Sequence, residues 1–440
     1  MHANMHLQRF YARSCATILH RPGGSMTYFR APPCFLLTLF LYVALFSSCV
    51  APLFASDVEE QAKMTTCELI EYFGFSCETT EATTDDGYIL EVDRVGTLAR
   101  DNSTSSSGSG TYKNPVVLVP GILSESGSWF INYPSQSPGF LLAERGYDVW
   151  TMNTREIAFR SRHKTLSQSD DRYWQRSFDE IGRYDIAAVL DLVLNVTGAS
   201  RVTILAFSQG LTASLVLLST KPEYNEKVDL LVAYGPVANI TNIGYPSREI
   251  MAISGPLFLL LDPLGDSGYF YLPKAPRKLT QLVCSIFQGQ PCSMLLSITL
   301  FSSPEELNKT RLPVALSHYA IGTSYQNLRH FIQNKREKNF LMYDYGTFEN
   351  KQRYGQEEPP AYDVDRITVQ VALFTSEGDT VADPQDVSVL AERLGSRLLF
   401  NHVVPPQDFR HLDFVYGYQA TNFLHEITLD TLEQYAGRSA

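Results

Sequence analysis

Val202-Thr203-Ile204-Leu205-Ala206-Phe207-Ser208-Gln209-Gly210, followed by the run from Leu211 to Leu218, is the stretch on which the reading of this chain turns. Val202–Ala206 suits a buried strand, and 211–218 suits a helix. Between them Ser208 stands on a tight turn, and Gly210 lets strand and helix pack closely behind it. A serine at the tip of a strand–turn–helix unit is a candidate nucleophile, usually written G-x-S-x-G. Here Ala206 replaces the first glycine. One extra methyl where space is short costs about 1 kcal/mol if the facing strand residue is small. Phe207 is the less usual choice, because it places a ring beside the nucleophile.

The elements around this turn alternate. A strand-like Tyr88–Val92 precedes a run apolar on both faces, Val116–Val119. Then come a strand at Tyr147–Trp150, a helix over Phe178–Val196, the Val202–Ala206 strand with its helix, and a strand at Val228–Ala233. Strands alternating with helices predict an α/β domain with a mostly parallel sheet covered on both faces. From about Asn239 to Ser317 the alternation stops. This Gly-, Pro-, Leu- and Phe-rich stretch is expected to be an inserted, mainly helical cap whose apolar inner surface holds an apolar substrate. Alternation resumes with a strand at Val369–Phe374, a helix at Pro384–Leu394, a strand at Leu398–Val404 and a final amphipathic helix over roughly Ala420–Tyr435. The expected organisation is therefore a leader over 1–55, a first core part over 56–238, a cap over 239–317 and a second core part over 318–440. Asp101–Gly110, rich in Ser, Thr and Gly, is expected to be a surface loop.

The leader stands apart in composition. Arg9, Arg13, Arg21 and Arg30 are the only charged residues of the first 55, and Phe35–Phe46 is almost purely apolar. A positive flank, an apolar core and then Asp57, Glu59 and Glu60 form a secretory signal pattern, with an uncleaved anchor as the alternative. Cleavage after Ala55 would put Leu53 at the third position back, a poor fit, whereas initiation at Met26 gives a more normal signal. Asn102, Asn195, Asn239 and Asn308 each begin an N-glycosylation acceptor triplet. Three of the seven cysteines fall in the leader. The remaining four form two close pairs, which suggests disulfides Cys67–Cys77 and Cys284–Cys292, with free buried thiols as the alternative. No Cys/His cluster has zinc-like spacing, and neither metal nor cofactor is expected. Over 440 residues, 36 Lys and Arg face 47 Asp and Glu, a net charge of −11 that argues against nucleic acid as partner.

A serine hydroxyl is a weak nucleophile until a histidine can take its proton. That histidine needs a carboxylate to fix its tautomer and stabilise its charged form. Asp379 follows the strand ending near Phe374, where such a carboxylate belongs, with Glu377 as the weaker rival. Asp383 and Asp386 suit the first turn of the next helix, where acids are stabilised by the helix dipole. His411 lies between the last strand and the final helix and is the candidate base. His163, His318 and His330 precede Asp379 and would break the Ser–Asp–His order. His402 lies inside a strand, and His425 is expected on the exposed side of the last helix. The oxyanion requires two converging N–H donors. They are Gln209, just after the nucleophile, and, by fold logic, Ile122 in the loop after Val116–Val119. Order and spacing together point to an α/β-hydrolase fold.

With these residues in place the chain resembles the acid lipase family, which includes gastric and lysosomal acid lipases. The likeness runs from about Thr65 to the C-terminus. It is carried by Glu71–Phe75, Thr84–Leu90, Gly146–Trp150, Ser177–Asp185, Gly235–Ala238, Gly322–Ser324 with Asn327 and His330, Gly378-Asp379 with Ala382–Val387, and His411–Phe414. The resemblance implies the triad Ser208, Asp379 and His411 with donors Ile122 and Gln209. It also implies hydrolysis of triacylglycerols or cholesteryl esters without a metal, in an acidic lumen or secretion, at a lipid–water interface. Departures cluster at one end of the site. Ala206-Phe207 stands where the family has Gly-His, Pro120 where it has His, and Met152-Asn153-Thr154-Arg155-Glu156-Ile157 where it has Gly-Asn-x-Arg-Gly-Asn. They bear on specificity and rate more than on reaction type. A non-catalytic lipid-binding protein, or an esterase for short-chain or phospholipid esters, are the competing readings.

Overall fold

The computed structural model describes residues 56–98, 112–245, 248–249, 269–270, 302–319 and 322–439. The leader, the 101–110 loop, most of the expected cap, the Cys284–Cys292 pair and Asn102 lie outside them. The described strands are β1 (Phe75–Thr83), β2 (Tyr88–Leu98), β3 (Lys113–Val119), β4 (Tyr147–Met152), β5 (Ser161–His163), β6 (Val202–Phe207), β7 (Val228–Tyr234), β8 (Tyr269–Phe270), β9 (Thr323–Ser324), β10 (Gln370–Thr375) and β11 (Leu398–Val403). One sheet runs in the order β1-β2-β4-β3-β6-β7-β10-β11, with β5 pairing to β2, and β8 and β9 form a separate ribbon. From β4 to β11 every pairing is parallel; β1, β2 and β5 pair antiparallel.

Strand parity divides the core. Leu118, Leu205, Phe207, Val232 and Phe374 face one layer with Trp129, Phe140 and Leu424. Val117, Ile204, Ala206, Leu231 and Leu373 face the other with Val189, Leu190, Leu215 and Leu390. Residues alternate sides because successive strand side chains point to opposite faces, and both faces are covered. The helices that matter for the site are α1 (Thr66–Tyr72), α2 (Ala187–Thr197), α3 (Gln209–Thr220), α4 (Tyr325–Glu337), α5 (Pro384–Leu394) and α6 (Glu426–Ser439). Cys67 and Cys77 are joined by a disulfide that ties α1 to β1, with Cα atoms 5.2 Å apart. Of the described acceptor asparagines, Asn195 is exposed on α2, whereas Asn239 and Asn308 are half-buried. Among the described residues no helix is long and apolar enough to cross a membrane.

Two expectations change. β1 was not foreseen, because its Thr and Glu residues leave no apolar alternation to read. His425 is not on the surface. A π-helical turn over Thr421–His425 precedes α6 and rotates the histidine inward, where it is 1% exposed and its ring lies 6.0 Å from Tyr234. Burial lowers its pKa to about 3 from 6.5. The unfolded chain therefore binds a proton that the folded chain refuses between these values, and stability is lost as pH falls through that window. The cost at pH 4 is on the order of 3 kcal/mol. Because Tyr234 keeps a hydrogen bond to Thr428 at 2.7 Å, His425→Leu should fold. Relative to the parent it should gain that amount between pH 7 and pH 4 in urea titrations. Parallel pH profiles for the two proteins would refute this.

Candidate active site

Ser208 sits where β6 ends and α3 begins, with φ 53° and ψ −118°. A non-glycine residue in that region costs of order 1–3 kcal/mol and persists only where its surroundings enforce it. The enforcement is local. β6 is held between β3 and β7, and Ser208 N donates to Tyr234 O at 3.0 Å. A Cβ on Gly210 would lie 2.5 Å from Val119 O and 2.9 Å from Pro120 O, so only glycine lets α3 start this close to β3. Ala206 is accommodated because it pairs with Ala233 on β7. Phe207 is 3% exposed, with its ring centre 5.0 Å from that of His411 and its edge against Gly121.

The three residues placed in order along the chain meet here. Ser208 Oγ donates to His411 Nε2 at 2.7 Å, and His411 Nδ1 donates to Asp379 Oδ2 at 2.8 Å. All three side chains are buried. Asp379 Oδ1 accepts from Val381 N at 2.8 Å and Ala382 N at 2.9 Å, which leaves Oδ2 aimed at the imidazole. Gly235 makes room on the other side of the ring, where a Cβ would lie 3.1 Å from His411 Nδ1. Glu377 is exposed, away from this contact. Asp383 caps α5 through Gln385 N and Asp386 stands in its first turn, both as expected, but Asp386 also has a second task. It holds Asn242 N and Nδ2 at 2.8 and 2.9 Å and so anchors the loop beyond β7.

The loop after β3 packs against Ser208. A Cβ on Gly121 would touch Ser208 Cβ at 3.2 Å, and Leu123 has φ 63° in the tight turn that follows. Ile122 lies between them. Gln209 N is the first N–H of α3, one of the four per helix that lack an intrahelical partner and carry the positive end of the helix dipole. An anion formed on Ser208 would meet this end first.

The other described histidines lie outside this relay. His318 Nδ1 is 2.5 Å from Glu125 Oε1, His330 stacks on Phe178 at 3.8 Å, His163 bonds Asp86 O, and His402 bonds Phe423 O. Two carboxylates beside the site were not foreseen in these roles. Asp413, two residues past the base, takes hydrogen bonds from Arg410 N at 2.7 Å, from Ser303 N at 2.9 Å and from Ser302 Oγ. Burial pushes its pKa up to about 8. Glu156 is 1% exposed and accepts from Gln209 Nε2 at 2.8 Å, from Asn327 Nδ2 at 2.9 Å and from Thr323 Oγ1. Burial raises its carboxyl above the ordinary range, against the pull of these hydrogen bonds and of Arg176. Its only sequence signal was an acid standing where the resemblance calls for glycine.

Comparison with known proteins bears on the family. The chain matches the partial alpha/beta-hydrolase lipase region over residues 66–133 and the alpha/beta hydrolase fold over residues 114–418. Human lipase member N is 32% identical over 389 residues, covering 87% of this chain and 94% of that protein. Human lysosomal acid lipase/cholesteryl ester hydrolase is 31% identical over 380 residues, covering 86% and 93%. Human lipase member M is 30% identical over 381 residues, covering 86% and 87%. A solved protein from Sulfolobus solfataricus superposes with TM-score 0.50 at 15% identity, over 82% of this chain and 95% of that one, a likeness of fold alone. An α/β-hydrolase sheet and relatives aligned across nearly their full length place this chain in the acid lipase family.

Proposed function

We propose that the protein is a serine ester hydrolase of lipase type, cleaving fatty-acyl esters such as triacylglycerols or steryl esters through Ser208, His411 and Asp379. The single observation that carries this is the continuous hydrogen-bonded relay Ser208–His411–Asp379, buried and correctly ordered. A non-catalytic protein would have no need to hold Ser208 in a strained conformation against an imidazole. His411 Nε2 takes the Ser208 proton as Oγ bonds to the ester carbonyl carbon. The carbonyl oxygen becomes an oxyanion between the N–H groups of Ile122 and Gln209. His411 returns the proton to the departing alcohol, leaving an acyl-serine. Water, deprotonated by His411, then attacks the acyl carbon and releases the fatty acid, and Ser208 recovers its proton. No metal takes part in this scheme.

A small apolar cavity of about 20 Å³, lined by Leu307, Leu312, Leu316, Tyr319, Leu412 and Tyr416, has room for about one water molecule rather than for an acyl chain. Leu412 adjoins His411, and Tyr319 bridges to Ser124 in the loop that carries Ile122, so apolar side chains stand near the relay. The preference for a lipid ester met at a lipid–water interface over a short-chain or phospholipid ester rests on residues 239–317 as an apolar cap and on the lipase relatives. The leader, the acceptor asparagines and a Cys284–Cys292 disulfide fit a secreted or lysosomal lumen, in keeping with the lysosomal acid lipase relative.

A fluorophosphonate probe should label the purified, glycosylated protein at Ser208. Ser208→Ala should abolish both labelling and hydrolysis of a long-chain acyl ester, with a loss of roughly 10⁴-fold or more in kcat. Parent-like hydrolysis by Ser208→Ala, or a folded parent that neither labels nor hydrolyses, would sink the proposal.

A further inference from the structure

We propose that Glu156 is a positioning residue for the reaction, acting through Gln209 to hold the N–H at the start of α3 on the oxyanion. The inference rests on the function proposed above and assigns a residue that the triad does not include. Gln209 carries its backbone donor on the residue just after the nucleophile, so any rotation of this residue moves the N–H. Its carboxamide is held at both ends: Nε2 donates to Glu156 Oε2 at 2.8 Å, and Oε1 accepts from Asn327 Nδ2 at 2.6 Å. Asn327 is itself fixed, since Nδ2 also donates to Glu156 Oε1 at 2.9 Å and Oδ1 accepts from Phe178 N at 2.8 Å. Glu156, Gln209 and Asn327 thus form a closed ring of hydrogen bonds with the carboxylate as its acceptor-only member.

The acceptor-only character is the chemical point. Glu156 takes one donor on Oε2 and two on Oε1, from Asn327 and Thr323. A neutral isostere cannot do this, because its amide N–H₂ must face a donor at one of the three places. Such a ring costs desolvation of a carboxylate, which packing alone does not require, and its three members and Thr323 are each at most 2% exposed. A complete buried network of this kind rigidifies what it touches, and a broken one loosens it. Here it touches the residue that bears the predicted oxyanion donor. Thr323 also lies on β9, which pairs with β8 inside the stretch expected to form the cap.

The test uses Glu156→Gln and the reciprocal pair Glu156→Gln/Gln209→Glu in the full-length enzyme, with a long-chain acyl ester and a fluorophosphonate as probes. Glu156→Gln turns the Gln209 contact into donor against donor. The pair exchanges donor and acceptor and rebuilds the ring. Expected is at least a tenfold loss of kcat and of phosphonylation rate in Glu156→Gln, with KM within twofold of the parent, and recovery to within about threefold in the pair. Parent-like kcat in Glu156→Gln overturns the inference while leaving the proposed function standing. A pair that is unfolded, or no faster than Glu156→Gln, overturns it as well. An inactive parent overturns the inference and the function together.

Discussion

Asp379→Asn is expected to fold like the parent and to lose roughly 10⁴-fold in kcat, because the change reverses the histidine tautomer while leaving shape intact. The introduced carboxamide can still accept from Val381 N and Ala382 N through its oxygen, which fixes the side chain in the native rotamer. Its nitrogen then takes the place of Oδ2, 2.8 Å from His411 Nδ1. Two donors cannot share that contact, so the imidazole must carry its proton on Nε2. In that form Nε2 cannot accept from Ser208 Oγ, and the serine is left without a base. KM should change little, since Asp379 is buried and contacts the imidazole rather than substrate. Glu377→Gln serves as the control. Glu377 is exposed, and its removal should leave kcat within twofold. Steady-state kinetics with circular dichroism decide the matter. A loss below tenfold for Asp379→Asn, or an equal loss for Glu377→Gln, would reassign the catalytic acid.

What could be read from the chain and what could not follows from the range of the interactions involved. The unit β6–Ser208–α3 is local: a buried β-branched strand, a turn and a helix within nineteen residues, 202–220. The strand, turn and helix were legible locally, and the three residues read in Ser–Asp–His order lie in a chain of hydrogen bonds, because parallel sheets place loop residues at one end of the strands. β1 escaped because its polar residues are kept in the sheet by pairing with β2, a partner's property rather than its own. His425 was misplaced because a π-helical turn breaks the 3.6-residue period on which face assignment depends. Asp386 was read only as a first-turn acid, and its second task went unseen because the loop that it holds, at Asn242, is 144 positions away. Glu156 was noticed as an oddity, yet its partners Gln209, Thr323 and Asn327 come from three distant segments. No spacing rule connects them.

Arg155→Leu is expected to lower the free energy of unfolding by about 3–5 kcal/mol, the largest stability effect of any single change considered. Arg155 is 1% exposed and binds two carboxylates at once. Its Nε donates to Asp185 Oδ1 at 2.8 Å, its backbone N donates to Asp185 Oδ2 at 2.9 Å, and its two terminal nitrogens reach Asp86 at 2.6 and 2.9 Å. The guanidinium also lies 4.1 Å over the Tyr88 ring. Burial opposes its charge, but Asp185 and Asp86 outweigh that and hold its pKa above the ordinary value. Asp185 is the vulnerable partner: it has no solvent exposure, and burial already raises its pKa against the pull of Arg155. Removing the guanidinium strands a charge that must then take up a proton or draw in water. Lysine would not repair the loss, since one ammonium cannot meet both carboxylates in the bidentate manner of a guanidinium. Asp185→Asn placed on the Arg155→Leu background should therefore recover about 1–2 kcal/mol by removing the stranded charge, a coupling that a double-mutant cycle in urea would measure. A drop under about 1 kcal/mol for Arg155→Leu, or no coupling to Asp185, would mean that the cluster is dispensable. Arg155 also precedes Glu156, so the ion pair fixes the chain at the point where the hydrogen-bonded ring behind Gln209 begins. If the two roles are separable as the contacts indicate, Arg155→Leu should lose stability first and Glu156→Gln should lose kcat first.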